Sequence, residues 1–400
     1  MNSKIEISNE EVDRWFEEEE EEEEEHFDDK PTPESPAEKY AQSQLRVVRE
    51  TKDYQLDYLR HALRPGRELI DTSPTYQRRL RWPQKKRSLL IESFLLNIPV
   101  PPVFLFERDY NEYEVIDGRQ RLETIREFLS NNFMLSGLEY WSELNRKRFN
   151  DLPSVLQKGL LRRSLAAVVL LAETRGVGKG KLDVRRALFD RLNTGGIKLN
   201  PQELRNALNP GPLNTLLIRL ARSQPFTTAW MIPPYVKGEE EAPPDALAKN
   251  TLFKSLADAE LVLRFFALRD AVEHDRRGSL RRILDRYMDK NADIDEATLS
   301  ALGDEFTGLL SRLVDVFEQK PFRLPRTGRP SRPLYDALMI ALSQRPELDI
   351  EADAALVRER LAGALNDEHQ YEILVGRGNT IEAIHERVRL AAGILQGAVS

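Results

Sequence analysis

The chain has 400 residues, 40% of them hydrophobic, with no cysteine and a formal net charge of −7. That length allows two or three domains with real cores, and the missing cysteine excludes disulfides, iron–sulfur clusters, cysteine-held zinc and thiol catalysis. The charge is unevenly spread: residues 1–30 carry fifteen acids against three bases, a balance of −12 that leaves +5 on the remainder, a mildly basic body open to nucleic acid.

Residues 1–36 hold nine consecutive glutamates, Glu17 to Glu25, followed by Pro31, Pro33 and Pro36. Self-repulsion and scarce apolar surface predict a disordered, solvating tail. A sharper reading is a nucleic-acid mimic that competes for the protein's own basic surface and docks through Trp15 and Phe16. No apolar run nears the roughly 20 residues of a membrane span. The acidic N-terminus lacks a signal core, so a cytoplasmic protein without a membrane partner is expected.

Residues 39–63 read as a helix and 68–71 as a short strand. In DTSPTYQRRLRWPQKKR (71–87), Arg78, Arg79, Arg81, Lys85, Lys86 and Arg87 crowd beside Tyr76 and Trp82. Cations interleaved with rings suit a phosphate-bearing ligand, which makes Arg79, Arg81, Lys85 and Lys86 candidate DNA contacts. A solvated basic edge with Trp82 half-buried explains the composition equally well. Residues 88–96 form a short apolar helix, and 103–106 a strand expected to pair with 113–116.

The stretch YEVIDGRQRLETIREFL (113–129) switches from strand to helix periodicity across Asp117-Gly118. Such a turn exposes the unpaired N–H groups and positive dipole end of the helix. Arg119 and Arg121 are misplaced for that dipole, which an anion between them would correct; a phosphate is the obvious candidate. Beyond it, 133–135 reads as a strand, 140–163 as short helices and 165–172 as a buried strand. RGVGKGK (175–181) resembles a phosphate loop, but Arg175 stands where the first glycine belongs and Leu182 where a hydroxyl is needed, so it reads as a flexible basic connection.

In FDRLNTGGIKLNPQEL (189–204), Asn193, Gly195 and Gly196 make a helix stop, while Asn200 and Glu203 pair as a cap with Pro201 at the first helical position. Turn chemistry alone accounts for Asn193; lining a pocket shared with the arginine turn is the alternative. Helices are expected over 251–274, 278–290, 296–318, 332–343, 353–365 and 380–396. Arg323, Arg326, Arg329 and Arg332 lie among prolines, as an arm over phosphates or an ordinary exposed loop.

The five histidines stand singly and no serine sits in a nucleophile elbow. Any enzyme here would work through arginines, backbone amides, an acid such as Asp117 and Mg²⁺, which is phosphoryl chemistry. No set of metal ligands can be picked out.

Four blocks, SPTYQRRLRW (73–82), LLIESFLLNIPVPPVFLF (89–106), YEVIDGRQRLETIREFL (113–129) and LFDRLNTGGIKLNPQELRNAL (188–208), resemble in order and spacing the N-terminal domain of GmrSD-type modification-dependent restriction endonucleases, across roughly 40–345. The resemblance implies an α+β fold: a small mixed ParB/sulfiredoxin-like sheet with helices, then a mostly helical C-terminal region. The charge run sets the disordered tail at 1–36, and Pro225, Pro233, Pro234, Pro243 and Pro244 mark a linker or long loop over 224–250. That leaves 37–223, which the resemblance makes the nucleotide-binding domain, and a helical domain over 251–400. The resemblance further implies that the chain binds and hydrolyses a nucleoside triphosphate with Mg²⁺, as part of bacterial anti-phage, modification-dependent restriction of DNA. Carried onto the family's Asp-Gly-Gln-Gln-Arg motif, Asp117, Gln120 and Arg121 become the catalytic candidates. Gln77, Arg78, Gly118, Arg119, Asn193 and Gly195 become the nucleotide-binding ones, with Arg119 standing where the motif has glutamine. Many relatives continue into a His-Asn-His nuclease domain that this sequence lacks, so DNA cutting would need a separate nuclease subunit or an atypical site. The alternative is a non-catalytic nucleotide- or DNA-sensing module that recruits or regulates that subunit.

Overall fold

The computed structural model describes residues 7–25, 49–64, 69–72, 82–109, 111–171, 200–209, 211–240, 243–292, 294–376 and 378–396, with the backbone alone for 20–25. They form an α+β protein of two compact units. One holds a five-stranded sheet within 49–171; the other is helical and joins the N-terminal helix to residues from 200 onward.

The N-terminal helix, α1 (Asn9–Glu25), corrects the expectation of disorder over 1–36. Charge alone suggested a solvated tail, but Val12 and Phe16 recur one turn apart and are buried with Ile7 in the helical unit's core. Glu19, a further turn on, is also buried and ion-paired to Arg205. Residues 26–36 lie outside the described residues.

In the sheet unit, β1 (Arg49–Gln55) and α2 (Leu56–Ala62) replace the single helix expected over 39–63. RETKDYQ shows no apolar stripe and is largely exposed; it is an edge strand whose conformation comes from its antiparallel ladder with β5, a long-range pairing that overrides propensity. Between them come β2 (Ile70–Asp71), α3 (Gln84–Leu96), β3 (Val103–Asp109), β4 (Glu112–Asp117), α4 (Arg119–Leu129) and α5 (Ser154–Leu161), before β5 (Ser164–Leu170). The sheet order is β1-β5-β3-β4-β2. The expected hairpin is present, β3 and β4 running antiparallel with Leu105 opposite Val115 and Phe104 opposite Asp117. β3 is parallel to β5, and β2 to β4, so the sheet is mixed. No strand forms over 133–135; Leu135 instead exchanges backbone hydrogen bonds with Arg146 and Lys147. Leu56 and Leu59 of α2, Leu122, Ile125 and Phe128 of α4, and Val103, Leu105, Ala167 and Val169 of the strands make one buried core.

The helical unit adds α6 (Pro201–Leu208), α7 (Pro212–Leu220), α8 (Gln224–Trp230), α9 (Asp245–Ala248), α10 (Thr251–Lys254), α11 (Ala257–Glu273), α12 (Leu280–Lys290), α13 (Glu296–Val316), α14 (Arg332–Ser343), α15 (Ala354–Asn366), α16 (Glu368–Val375) and α17 (Ile381–Gln396). The linker expected over 224–250 is corrected here. Pro225 sits in the first turn of α8, where proline is tolerated, and Trp230 is buried among Phe226, Phe322 and Tyr335. The helix expected over 251–274 is interrupted at Leu256, which is left-handed at φ 61°. α11 is buried on nearly every side, as a central helix must be, and its Arg264 pairs with Asp336 of α14 in full burial. Among the described residues no helix is long and apolar enough to cross a membrane.

Candidate functional site

Asp117 ends β4 and Gly118 opens α4 at φ 93°. A Cβ on Gly118 would fall 2.3 Å from Val103 Cγ1, so both its conformation and its contact with β3 demand glycine. No side chain caps the first turn of α4 and no acid lies within it, the open helix start anticipated from the sequence.

The arginines of that turn are not waiting for an external anion. Arg121 donates from Nη2 to Asp117 Oδ2 at 2.6 Å and to the Pro102 carbonyl at 3.2 Å, while Arg119 donates from Nε to Glu123 Oε1 at 2.9 Å. A carboxylate four residues away neutralises each. The two pairs differ in access. Arg119 and Glu123 keep only 15% and 12% of their side-chain surface, whereas Asp117 keeps 32%. Arg121 Nε is buried and has no hydrogen-bond partner among the described residues. The Asp117–Arg121 pair is therefore the more accessible of the two to a ligand.

Gln120 Oε1 turns away to accept the backbone N–H of Trp82 at 3.0 Å. Further along α4, Arg126 Nη1 donates to Thr72 Oγ1 at 3.1 Å. Thr72 and Trp82, the described residues on either side in sequence of the stretch carrying Gln77, Arg78, Arg79 and Arg81, are thus both hydrogen-bonded to the helix that begins at the arginine turn. Those four residues, and Asn193, Gly195 and the RGVGKGK stretch, lie outside the described residues. Lys86 Nζ sits 4.5 Å from the Trp82 ring centroid. Lys85 Nζ is 3.9 Å from Glu139 Oε1, and both of those side chains are exposed.

Sequence reasoning missed Glu92. Buried in the middle of α3, its carboxylate accepts the backbone N–H groups of Glu139, Tyr140 and Trp141 at 3.2, 2.9 and 2.9 Å and so holds the loop above that helix. One acid in an apolar run was the only available signal. The cap anticipated at Asn200 is present: its Oδ1 accepts the Glu203 N–H and Glu203 Oε2 accepts the Asn200 N–H, each at 2.9 Å. Among the described residues no group of three or more His, Asp or Glu side chains could hold a metal ion.

A mixed sheet whose strand–turn–helix presents an acid, a glycine, a glutamine and two arginines defines an α+β domain organised around that turn. Residues 59–209 match the family model described as GmrSD restriction endonuclease, N-terminal domain. That stretch is therefore similar to the family's N-terminal domain, and the match ends with α6. No curated protein and no solved structure gives a match.

Proposed function

We propose that the sheet unit binds and hydrolyses a nucleoside triphosphate, as the nucleotide-dependent component of bacterial restriction directed at modified or phage DNA. The observation that carries this reading is that Arg126 and Gln120 of α4 hydrogen-bond Thr72 and Trp82, the described residues on either side in sequence of Gln77 and Arg78. A phosphate entering at the turn competes with Asp117 for Arg121, whose buried Nε is left to donate. Asp117, once displaced, accepts a proton from the attacking water, and Gln120 holds the basic segment in register. Arg119, Gly118, Gln77, Arg78, Asn193 and Gly195 complete the nucleotide contacts. Arg79, Arg81, Lys85 and Lys86 take the DNA backbone. Mg²⁺ would travel on the triphosphate, with Asp117 the carboxylate at the turn able to join it.

The second reading is a sensor that binds nucleotide or DNA without turnover and recruits a separate nuclease subunit. The in-chain neutralisation of both arginines favours it. Phosphate release from each common nucleoside triphosphate, measured with Mg²⁺ on purified protein, separates the two. Turnover that falls about a hundredfold in Arg121→Ala, with the circular dichroism spectrum kept, supports the first reading. Turnover kept in that variant removes the site assignment, and binding without release selects the sensor.

A further inference from the structure

The acidic helix α1 sits on a seat built entirely by distant parts of the chain. The chain leaves the helical unit after α1, builds the sheet unit and returns at Asn200. α10 and α12 pack beside it. Glu19 pairs with Arg205 of α6, Glu18 with Arg332 at 3.3 Å and Glu11 with Arg329 at 3.3 Å. Trp15 meets Trp230 edge-on at 6.5 Å between centroids, and the Arg332 guanidinium lies 5.0 Å from the Trp15 ring. Val12 and Phe16 fill the floor. Positions 11, 12, 15, 16, 18 and 19 are one helical face, so a single surface of α1 is read by arginines at its rim and apolar groups at its base.

Two further features make α1 a guest in this groove. Three of the eleven side chains over 9–19 are buried, against 14 of 17 in α11, so α1 lies at the margin of the core. The seat also keeps its own charges placed: Arg205 retains Glu260 at 3.5 Å and Asp285 at 2.9 Å, and Arg332 retains Glu260 at 3.6 Å. By contrast α1 is a poor helix alone, since its glutamates repel one another and its last turn sets acids against the dipole with no base present.

We propose that this groove is a docking site for an acidic amphipathic helix, held in cis by α1 and open, once α1 leaves, to a partner protein's helix carrying a Val-x-x-Trp-Phe-x-Glu-Glu face. A protein helix fits better than nucleic acid. The groove takes Val12, Trp15 and Phe16 between its arginines, and a phosphate backbone supplies no such apolar side chains. The seat lies wholly in the helical unit, so the proposal does not rest on nucleotide turnover.

The test cuts the full chain at a protease site placed between residues 26 and 48 and adds a fluorescent peptide of residues 7–25. The expected result is saturable exchange that follows peptide concentration while the protein stays folded. Affinity should drop about tenfold or more for peptides bearing Phe16→Ala or the pair Glu18→Gln and Glu19→Gln. No exchange over hours, or unfolding once the cut helix is diluted away, would make α1 a permanent core element and overturn the proposal. Equal displacement by a scrambled peptide or by duplex DNA would overturn it too, leaving only a general polyanion surface.

Discussion

Gly118 carries the sharpest single-residue constraint. Gly118→Ala combines a left-handed backbone with overlap on Val103 and should cost about 3 kcal/mol, seen as a lower melting temperature of the sheet unit. An unchanged melt would mean the turn can rebuild. Asp117 has two opposed roles in the proposed reaction, because it blocks Arg121 at rest and serves as the general base afterwards. Asp117→Asn should therefore tighten nucleotide binding while slowing phosphate release by about tenfold or more. If binding weakens and release is kept, the competition between carboxylate and phosphate is wrong. The turn itself was legible from the residues because glycine, strand period and helix period are local properties. The pairing of Arg119 with Glu123 was equally local in spacing, but a side chain facing either its i+4 neighbour or a ligand satisfies the same sequence.

At the scale of elements, α6 and α11 each hold a buried acid whose titration should be visible. Burial is the main cause that pushes Glu203 up to about 7, with Asp13 adding to it and the hydrogen bond from the Asn200 N–H opposing. Burial likewise raises Glu260 to about 7, assisted by Glu19 and resisted by Arg205, Arg332 and Arg264. In the unfolded chain each acid loses its proton near 4.5, so the folded state binds more protons between the two values. Their stabilising effect is full below the unfolded value and is lost as pH climbs through about 7. The helical unit should melt about 5 °C lower at pH 8.5 than at pH 5.5, and Glu203→Gln, which still accepts the Asn200 N–H, should flatten that slope. A melt that rises with pH would contradict the assignment. The edge strand β1 makes the complementary point: charged RETKDYQ is extended because β5 pairs with it, a fact no local window contains.

Across the whole molecule, the Arg264–Asp336 pair joins the two most buried helices of the helical unit. Asp336→Ala strands a guanidinium in the core and should cost about 4 kcal/mol, read as early melting of that unit. A small loss would show that water reaches Arg264. The proposed role in restriction implies contact with DNA. If several of Arg79, Arg81, Lys85 and Lys86 meet phosphates, labelled-duplex affinity must fall steeply as salt rises, and a flat response would remove the DNA-binding assignment.

Sequence alone determined the β3–β4 hairpin, the glycine turn into α4, the Asn200–Glu203 cap and most C-terminal helices, since period, turn chemistry and capping act over a few residues. The family resemblance supplied the α+β class. Only the tertiary structure decided that the glutamate-rich N-terminus is a seated helix, that residues 224–250 belong to the core and that the turn's arginines are neutralised by Asp117 and Glu123. Each of those outcomes turns on which partner a charge or ring finally meets. Composition constrains that choice, but only the packed chain makes it.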